Sequence, residues 1–217
     1  MSNGDTMKKI LGLLLSAMLL SGCQGKALSK YTMTATDIGF DTVVSFTAYT
    51  ENETAFNQYS QELKKQFRYY DRLFDKYNSY DGVNNIKTIN DNAGKQAVKV
   101  DPVIIDLLKL SKAYDTISDH RFDITMGSGL NIWHDYREAG TLANQKDEES
   151  SIPSMKELKE AQRHSGWKHV QIDEKKSTVY IDDARVSLDV GGVAKGYAVE
   201  LIAEQLQKDG LQHAVLN

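Results

Sequence analysis

The segment Asp189–Ala198 (DVGGVAKGYA) constrains this chain most, because two adjacent glycines join a predicted strand to a predicted helix. It places the carboxylate of Asp189 at the strand end and Lys195 in the first turns of the helix. Glycines let the backbone approach a ligand, and amides at a helix start attract phosphate oxygens, so the segment is compatible with a diphosphate site. The alternative is a tight connection with a capping Asp189 and a solvated Lys195. The spacing matches neither the GxxxxGK[ST] loop nor the GxGxxG fingerprint.

Composition narrows the classes of partner. The chain has 217 residues, 26 basic and 30 acidic side chains and a formal net charge of −4, without a basic block. Such a chain offers little to a phosphate backbone, so we expect no nucleic-acid partner. Its single cysteine excludes an internal disulfide framework and any zinc or iron–sulfur site built from several cysteines.

The beginning of the chain has the pattern of a bacterial lipoprotein leader. A short cationic stretch precedes an apolar run over residues 10–20, which is too short to span a bilayer. The run ends in LSGC at residues 20–23, which resembles the lipobox where a peptidase cuts before a lipid-modified cysteine. We therefore predict a lipoprotein signal peptide over residues 1–22, a lipid anchor on Cys23 and an extracytoplasmic, membrane-anchored protein. The alternative is an ordinary secretory leader with Cys23 as a free thiol.

Polar and small residues predict a tether over residues 23–36, and the hydrophobic pattern that follows predicts an α+β domain over residues 37–217. Separate strands are predicted over residues 42–49 and 184–190, and another is predicted to begin at residues 213–216. Residues 168–173 and 177–181 are predicted to pair as a hairpin. The predicted helices are 53–75, 102–117, one that starts after Ser154, and one from Val193 to Gly210. Residues 81–94 are predicted to form a loop region with short structure at most, and residues 138–151 a polar surface excursion.

Polar residues also cluster upstream of the glycine junction. The segment His120–Thr125 (HRFDIT) sets a carboxylate and a hydroxyl beside apolar residues, and Asn131-Ile132-Trp133 follows it. Taken alone, these residues are compatible with a strand edge and ordinary packing.

Taken together and in order, these pieces resemble the ApbE family, the FAD:protein FMN transferases. The resemblance rests on Phe40-Asp41-Thr42 before the first strand, Tyr77 after the first helix, FDIT at 122–125, NIW at 131–133 and above all SLDVGGVAKGYAVE at 187–200. It covers essentially all of residues 38–217. It implies an ApbE-like, T-fold-related architecture with a mixed sheet and packed helices, incomplete at the C-terminus. Members are commonly extracytoplasmic lipoproteins, which agrees with the lipobox.

The resemblance also implies a reaction and a site. Enzymes of this family use FAD and Mg²⁺, split the pyrophosphate and pass FMN to a threonine hydroxyl of another membrane or secreted protein. By motif position, Gly192 would offer its carbonyl to the metal. The residues that would bind the nucleotide are Phe40, Tyr77, Arg121, Phe122, Asp123, Asp189 and Lys195. Core packing is the alternative for the two aromatic residues Phe40 and Tyr77, and a structural cap is the alternative for Asp189.

Family members continue with a GGN segment, a later histidine and an Asp/Thr pair that completes the metal site. The resemblance therefore implies that the catalytic groups lie beyond Asn217 and that the chain as written holds part of the FAD site and is inactive alone. Two other functions stay open. One is hydrolysis of FAD to FMN and AMP, and the other is a lipoprotein that binds flavin without chemistry.

Overall fold

The computed structural model describes residues 27–217 and has the predicted α+β architecture. The helices are α1 (Glu53–Phe74), α2 (Ile86–Asp91), α3 (Pro102–Ile117), α4 (Gly127–Asn144), α5 (Met155–Gln162) and α6 (Ala194–Lys208), and a 3-10 turn covers Trp167–His169. The strands are β1 (Ser29–Ala35), β2 (Val44–Thr50), β3 (Val98–Lys99), β4 (Val170–Asp173), β5 (Thr178–Ile181) and β6 (Ala214–Leu216). The predicted signal peptide over residues 1–22 and Cys23 lie outside the described residues.

The described strands form two antiparallel sheets, ordered β1-β2-β6 and β3-β5-β4. In the first sheet β2 is central, and its side chains alternate between the core and the other face, so that Val44, Phe46 and Ala48 are buried. The predictions of a strand near residues 42–49 and of a strand beginning at 213–216 are confirmed by β2 and β6.

The tether predicted over residues 23–36 is wrong for Ser29–Ala35, which form β1. This strand pairs with β2 along its whole length, from Ser29 opposite Thr50 to Ala35 opposite Val44. The segment alternates polar threonines with Tyr31 and Met33, which pack against the buried core. Threonine and tyrosine favour strands, so a polar sequence here forms an edge strand with one apolar face.

Helix α1 packs on the first sheet and confirms the stripe predicted over residues 53–75. Its buried face includes Phe56, Leu63 and Phe67, which share a core cluster with Ile202 and Leu206 of α6. The Asn52 side chain accepts a hydrogen bond from the backbone N–H of Ala55 at 2.9 Å and so caps the helix start. The α1–α6 contact is important for the site, because it fixes the end of α1 beside the start of α6.

The second sheet confirms the predicted hairpin, with β4 and β5 paired from Val170 opposite Ile181 to Asp173 opposite Thr178. Helix α3 covers the adjoining core and begins as predicted, with Asp101 as N-cap and Pro102 in the first turn. The Ser154 capping box that starts α5 is also present.

The strand predicted over residues 184–190 is wrong. Val186, Leu188 and Val190 are buried in alternation, but the only pairing described there is an isolated bridge between Ser187 and Met126. The Asn90 side chain instead bonds both backbone groups of Leu188, at 2.8 and 3.0 Å. One side-chain amide therefore satisfies the backbone groups of Leu188 that a neighbouring strand would have paired.

The surface excursion predicted over residues 138–151 is partly helical, because α4 continues to Asn144. A polar sequence does not prevent helix formation when one face contacts a partner, and α4 lies against α5. Within residues 27–217, no helix is both long and apolar enough to cross a membrane.

Candidate functional site

A cleft of about 430 Å³ opens where the end of α1 meets the start of α6. It is lined by Phe40, Asp41, Asp71, Phe74, Asp75, Lys76, Tyr77, Asn78, Tyr80, Asp189, Val190, Gly191, Ala194 and Lys195. This volume lies within the range of small-molecule sites, and the lining combines aromatic rings with charged groups of both signs. We refer to it as the junction cleft.

The glycine junction forms one wall of this cleft. Asp189 folds back on the turn, where its Oδ1 accepts a hydrogen bond from the Gly191 N–H at 2.9 Å. Helix α6 then begins at Ala194, and within residues 27–217 no side chain caps its N-terminus. Lys195 is exposed in the first turn and forms no ion pair with the described residues. An uncapped helix start beside a free ammonium is an environment that favours a bound anion.

A buried ion pair that sequence reasoning missed crosses the base of the cleft. Lys76 Nζ lies 2.7 Å from Asp189 Oδ2, and their side chains are only 9% and 17% exposed. The same ammonium donates to Asn131 Oδ1 at 2.8 Å. These contacts bring together the loop after α1, the NIW motif and the glycine junction. No local pattern indicates a role for Lys76, because a lysine after a helix is usually solvated.

Asp75 organises the loop after α1. Its carboxylate accepts bonds from the N–H groups of Tyr77 and Asn78, the Asn78 amide and the Tyr80 hydroxyl, at 2.6 to 3.1 Å. Burial opposes ionisation of Asp75, but the hydrogen bonds outweigh it and lower its pKa. The bond to Asp75 raises the pKa of Tyr80 to about 12. The loop therefore presents an ionised carboxylate whose bonding capacity is already used.

Replacement Tyr80→Phe should lower the free energy of unfolding by about 1 kcal/mol at neutral pH, because Asp75 loses one donor. Since folding raises the pKa of Tyr80, its bond stabilises the fold below about pH 10 and the stabilisation is lost as pH rises through about 12. The variant should therefore lose less stability than the unmodified protein across this alkaline range in urea titrations. Tyr49→Phe, on the exposed side of β2, is the control, and equal alkaline losses for all three proteins would contradict the prediction.

Phe40 enters the cleft on a strained turn. Gly39, Phe40 and Asp41 have φ angles of 114°, 60° and 46°, a left-handed run that costs free energy at the two non-glycine residues. The Phe40 N–H donates to Asp71 Oδ1 at 2.6 Å, and burial raises the pKa of Asp71 despite that bond. The Phe40 ring contacts Phe74 and lines the cleft, so it serves both core packing and the cleft wall.

A second cleft of about 580 Å³ adjoins the first and shares Lys76, Tyr77 and Asp189 with it. It is lined by Lys76, Tyr77, Leu130, Trp133, His134, Tyr136, Arg137, Gly140, Ser150, Ser151, Ile152 and Asp189. Tyr77 is 55% exposed, which excludes the core-packing alternative, and its ring lies 5.3 Å from that of His134. Apart from Tyr77, the aromatic and cationic residues that line this second cleft were not predicted from the sequence as site residues.

The structure brings four of the predicted nucleotide-binding residues to the junction cleft, namely Phe40, Tyr77, Asp189 and Lys195. Arg121, Phe122 and Asp123 line neither of the two clefts described above. Arg121 is exposed, and the Phe122 ring lies behind Gly192, 3.2 Å from the position of a Cβ there. Asp123 Oδ1 accepts bonds from the N–H and hydroxyl of Thr125, so it shapes its own turn.

The predicted metal ligand, Gly192, is exposed and lines neither cleft, while Gly191 lines the junction cleft. Among residues 27–217, no three His, Cys, Asp or Glu side chains come together as a metal site. Magnesium commonly takes one or two protein oxygens and completes its shell with substrate phosphates and water, so a junction carbonyl fits part of such a shell.

Comparisons of the sequence and of the structure with known proteins identify the same family. A model of the ApbE family matches residues 40–217. A FAD:protein FMN transferase of Chlamydia muridarum is 26% identical over 148 residues, which cover 68% of this chain and 44% of that protein. The apo form of the Pseudomonas stutzeri flavinyl transferase ApbE superposes with a TM-score of 0.72 at 18% identity, over 90% of this chain and 58% of that one. For the ApbE protein of Thermotoga maritima the TM-score is 0.67 at 25% identity, and the superposition covers 87% of this chain and 56% of that protein.

The chain spans about half the length of these proteins. Their superposition confirms the ApbE-like architecture expected from the motifs. Because the family match covers most of the sequence, from the strained turn at Phe40 to the last strand, the chain belongs to the ApbE family.

Proposed function

We propose that this protein takes part in the Mg²⁺-dependent transfer of FMN from FAD to a threonine hydroxyl of an acceptor protein. The observation that carries the proposal is the junction cleft, where the start of α6 and Lys195, which has no ion-pair partner among residues 27–217, share the lining with aromatic rings. The relatives named as FAD:protein FMN transferases support the same reaction.

The phosphates of FAD match the α6 end of the cleft. Backbone N–H groups at a helix start carry a partial positive charge, and Lys195 adds a full one in the same turn. Phe40 and Tyr77 offer ring surfaces at the opposite side, suited to a flavin or adenine. Asp189 can accept hydrogen bonds from ligand N–H or hydroxyl groups, since each carboxylate oxygen retains a lone pair.

In the transfer, the threonine oxygen forms a bond to the phosphorus of the FMN half as the anhydride bond to AMP breaks. The hydroxyl proton passes to a base, and AMP leaves with the electron pair of the broken bond. Bound Mg²⁺, with the Gly192 carbonyl as one oxygen ligand, would neutralise the negative charge that grows on the leaving phosphate. The contribution of Lys195 and the α6 start is to hold the diphosphate in place.

We also propose that the protein acts outside the cytoplasm, anchored to a membrane by lipid on Cys23. The support comes from the leader-like sequence, in which the single cysteine of the chain follows an apolar run at the lipobox position. This location would place the site beside membrane or secreted acceptor proteins.

The test is incubation of the protein with FAD, MgCl₂ and a purified threonine-bearing flavoprotein acceptor in its apo form. Fluorescent flavin that stays on the acceptor after denaturation supports the proposal. Free FMN and AMP without acceptor labelling would favour FAD hydrolysis instead, and bound, unchanged FAD would favour a flavin-binding lipoprotein. Absence of FAD binding would contradict all three functions.

Lys195→Ala should weaken FAD binding about fivefold to tenfold, because one exposed cation next to the phosphates is lost. The matched control is Lys208→Ala in the last turn of the same helix, where the side chain pairs with Glu204 at 3.6 Å. Flavin fluorescence titrations of both variants measure the difference. Equal affinities for the two variants would remove Lys195 from the phosphate site.

A further inference from the structure

Lys76 is the most confined cation of the two clefts. Its Nζ lies 2.7 Å from Asp189 Oδ2, 2.8 Å from Asn131 Oδ1 and 4.8 Å from the centre of the Tyr77 ring. An ammonium has three donors, so two of them have fixed acceptors and the third direction is limited by the ring. With 9% of the side chain exposed, this lysine is held in one place.

The carboxylate of Asp189 is fixed from two sides as a result. Oδ1 accepts from the Gly191 N–H at 2.9 Å, while Oδ2 faces Lys76. The backbone N–H of Asp189 also donates to the Ile124 carbonyl at 2.7 Å, which ties the residue to the FDIT segment. Both the backbone and the side chain of Asp189 are therefore oriented before any ligand arrives.

Of the acidic residues that line the cleft, Asp189 is the one that forms an ion pair with Lys76 among residues 27–217. Asp75 is adjacent in sequence, but its carboxylate is occupied by its own loop, including the Tyr80 hydroxyl at 2.7 Å. Asp71 accepts from the Phe40 N–H instead. The charge of Lys76 is thus directed at Asp189.

On the basis of the proposed function, we propose that Lys76, anchored by Asn131, is a positioning residue that aims the Asp189 carboxylate at FAD in the junction cleft. Asp189 and Lys76 both line the two clefts, so the ion pair between them sets the orientation in which the carboxylate meets a ligand there. Lys76 acts through Asp189 and fixes the geometry of a nucleotide contact, in addition to supporting the fold.

The test measures FAD affinity by flavin fluorescence at a temperature where circular dichroism shows each variant to be folded. Lys76→Met should weaken binding about tenfold, because the carboxylate loses a charged partner, while Lys76→Arg should restore most of the affinity. Lys109→Met is the matched control, since Lys109 forms an ion pair of the same 2.7 Å length with Glu174, outside both clefts.

A double-mutant cycle separates positioning from general support of the fold. In the Asp189→Asn background, Lys76→Met should cause little further loss of FAD affinity, because the group that it positions is already changed. Should Lys76→Met fail to fold, Asn131→Ala keeps the ion pair, frees the ammonium and should weaken binding about threefold.

Failure of this inference can be distinguished from failure of the proposed function. Unchanged FAD affinity in folded Lys76→Met or Asn131→Ala, in a protein that binds FAD when unmodified, would overturn this inference alone. Absence of FAD binding by the unmodified protein would overturn the proposed function, and this inference with it.

Discussion

Gly127→Ala is expected to lower the free energy of unfolding by about 3 kcal/mol. Gly127 is the buried first residue of α4, and its N–H donates to the Ser187 carbonyl at 2.9 Å. A Cβ at this position would overlap that same backbone carbonyl, which cannot rotate away as a side chain could. The backbone around Ser187 must then shift, and Asp189 lies two residues further on, so FAD affinity should fall as well.

Gly129→Ala is the control, in the same first turn of α4. A Cβ at Gly129 meets no described atom within 4 Å, so alanine should raise stability by about 0.5–1 kcal/mol through its higher helix propensity. Urea unfolding followed by circular dichroism measures both changes. If the two variants shifted stability by similar amounts, close approach of α4 to the junction would not be the reason for glycine at position 127.

Asp189→Ala is expected to cost about 3 kcal/mol of folding free energy, at the lower end of the cost of breaking a buried pair. The reason is that the Lys76 ammonium group, with 9% of its side chain exposed, would have no carboxylate beside it. The Gly191 N–H would also lose its acceptor. Loss of FAD binding in this variant alone would therefore mix ligand contact with fold stability.

The double variant Lys76→Met/Asp189→Ala should recover most of that stability, to within about 1 kcal/mol of the unmodified protein, since no unpaired charge remains buried. Its FAD affinity should stay low, because the carboxylate is absent. Chemical denaturation of the four proteins in this cycle gives the coupling energy. Additive losses at the two positions would mean that the pair does not contribute to stability as a pair.

Several elements followed from local patterns alone. The apolar stripe of α1, the Asp101-Pro102 start of α3 and the Ser154 capping box each depend on contacts within a few residues, which the sequence records directly. The segment Ser29–Ala35 resembles a tether in its polar sequence, because its strand is stabilised by pairing with β2, whose partner residues lie 9 to 21 positions away.

The candidate site also combines features that the local sequence indicates with features that depend on distant contacts. Its glycines, Asp189 and Lys195 were identified from the family motif, whereas the strand expected before them is absent and the Asn90 amide bonds the backbone of Leu188 instead. Arg121 and Asp123 were expected at the nucleotide but line neither cleft, since a motif gives sequence position and leaves the direction of a side chain undetermined.

The sequence by itself determined the family, the α+β class and the glycine junction, because these depend on residue type and spacing along the chain. Only the tertiary structure decided that Lys76 and Asn131 meet Asp189, residues separated by 113 and 58 positions. The physical reason is that a buried charge needs a partner in space, and packing of α1 against α6 selects that partner without leaving a local pattern.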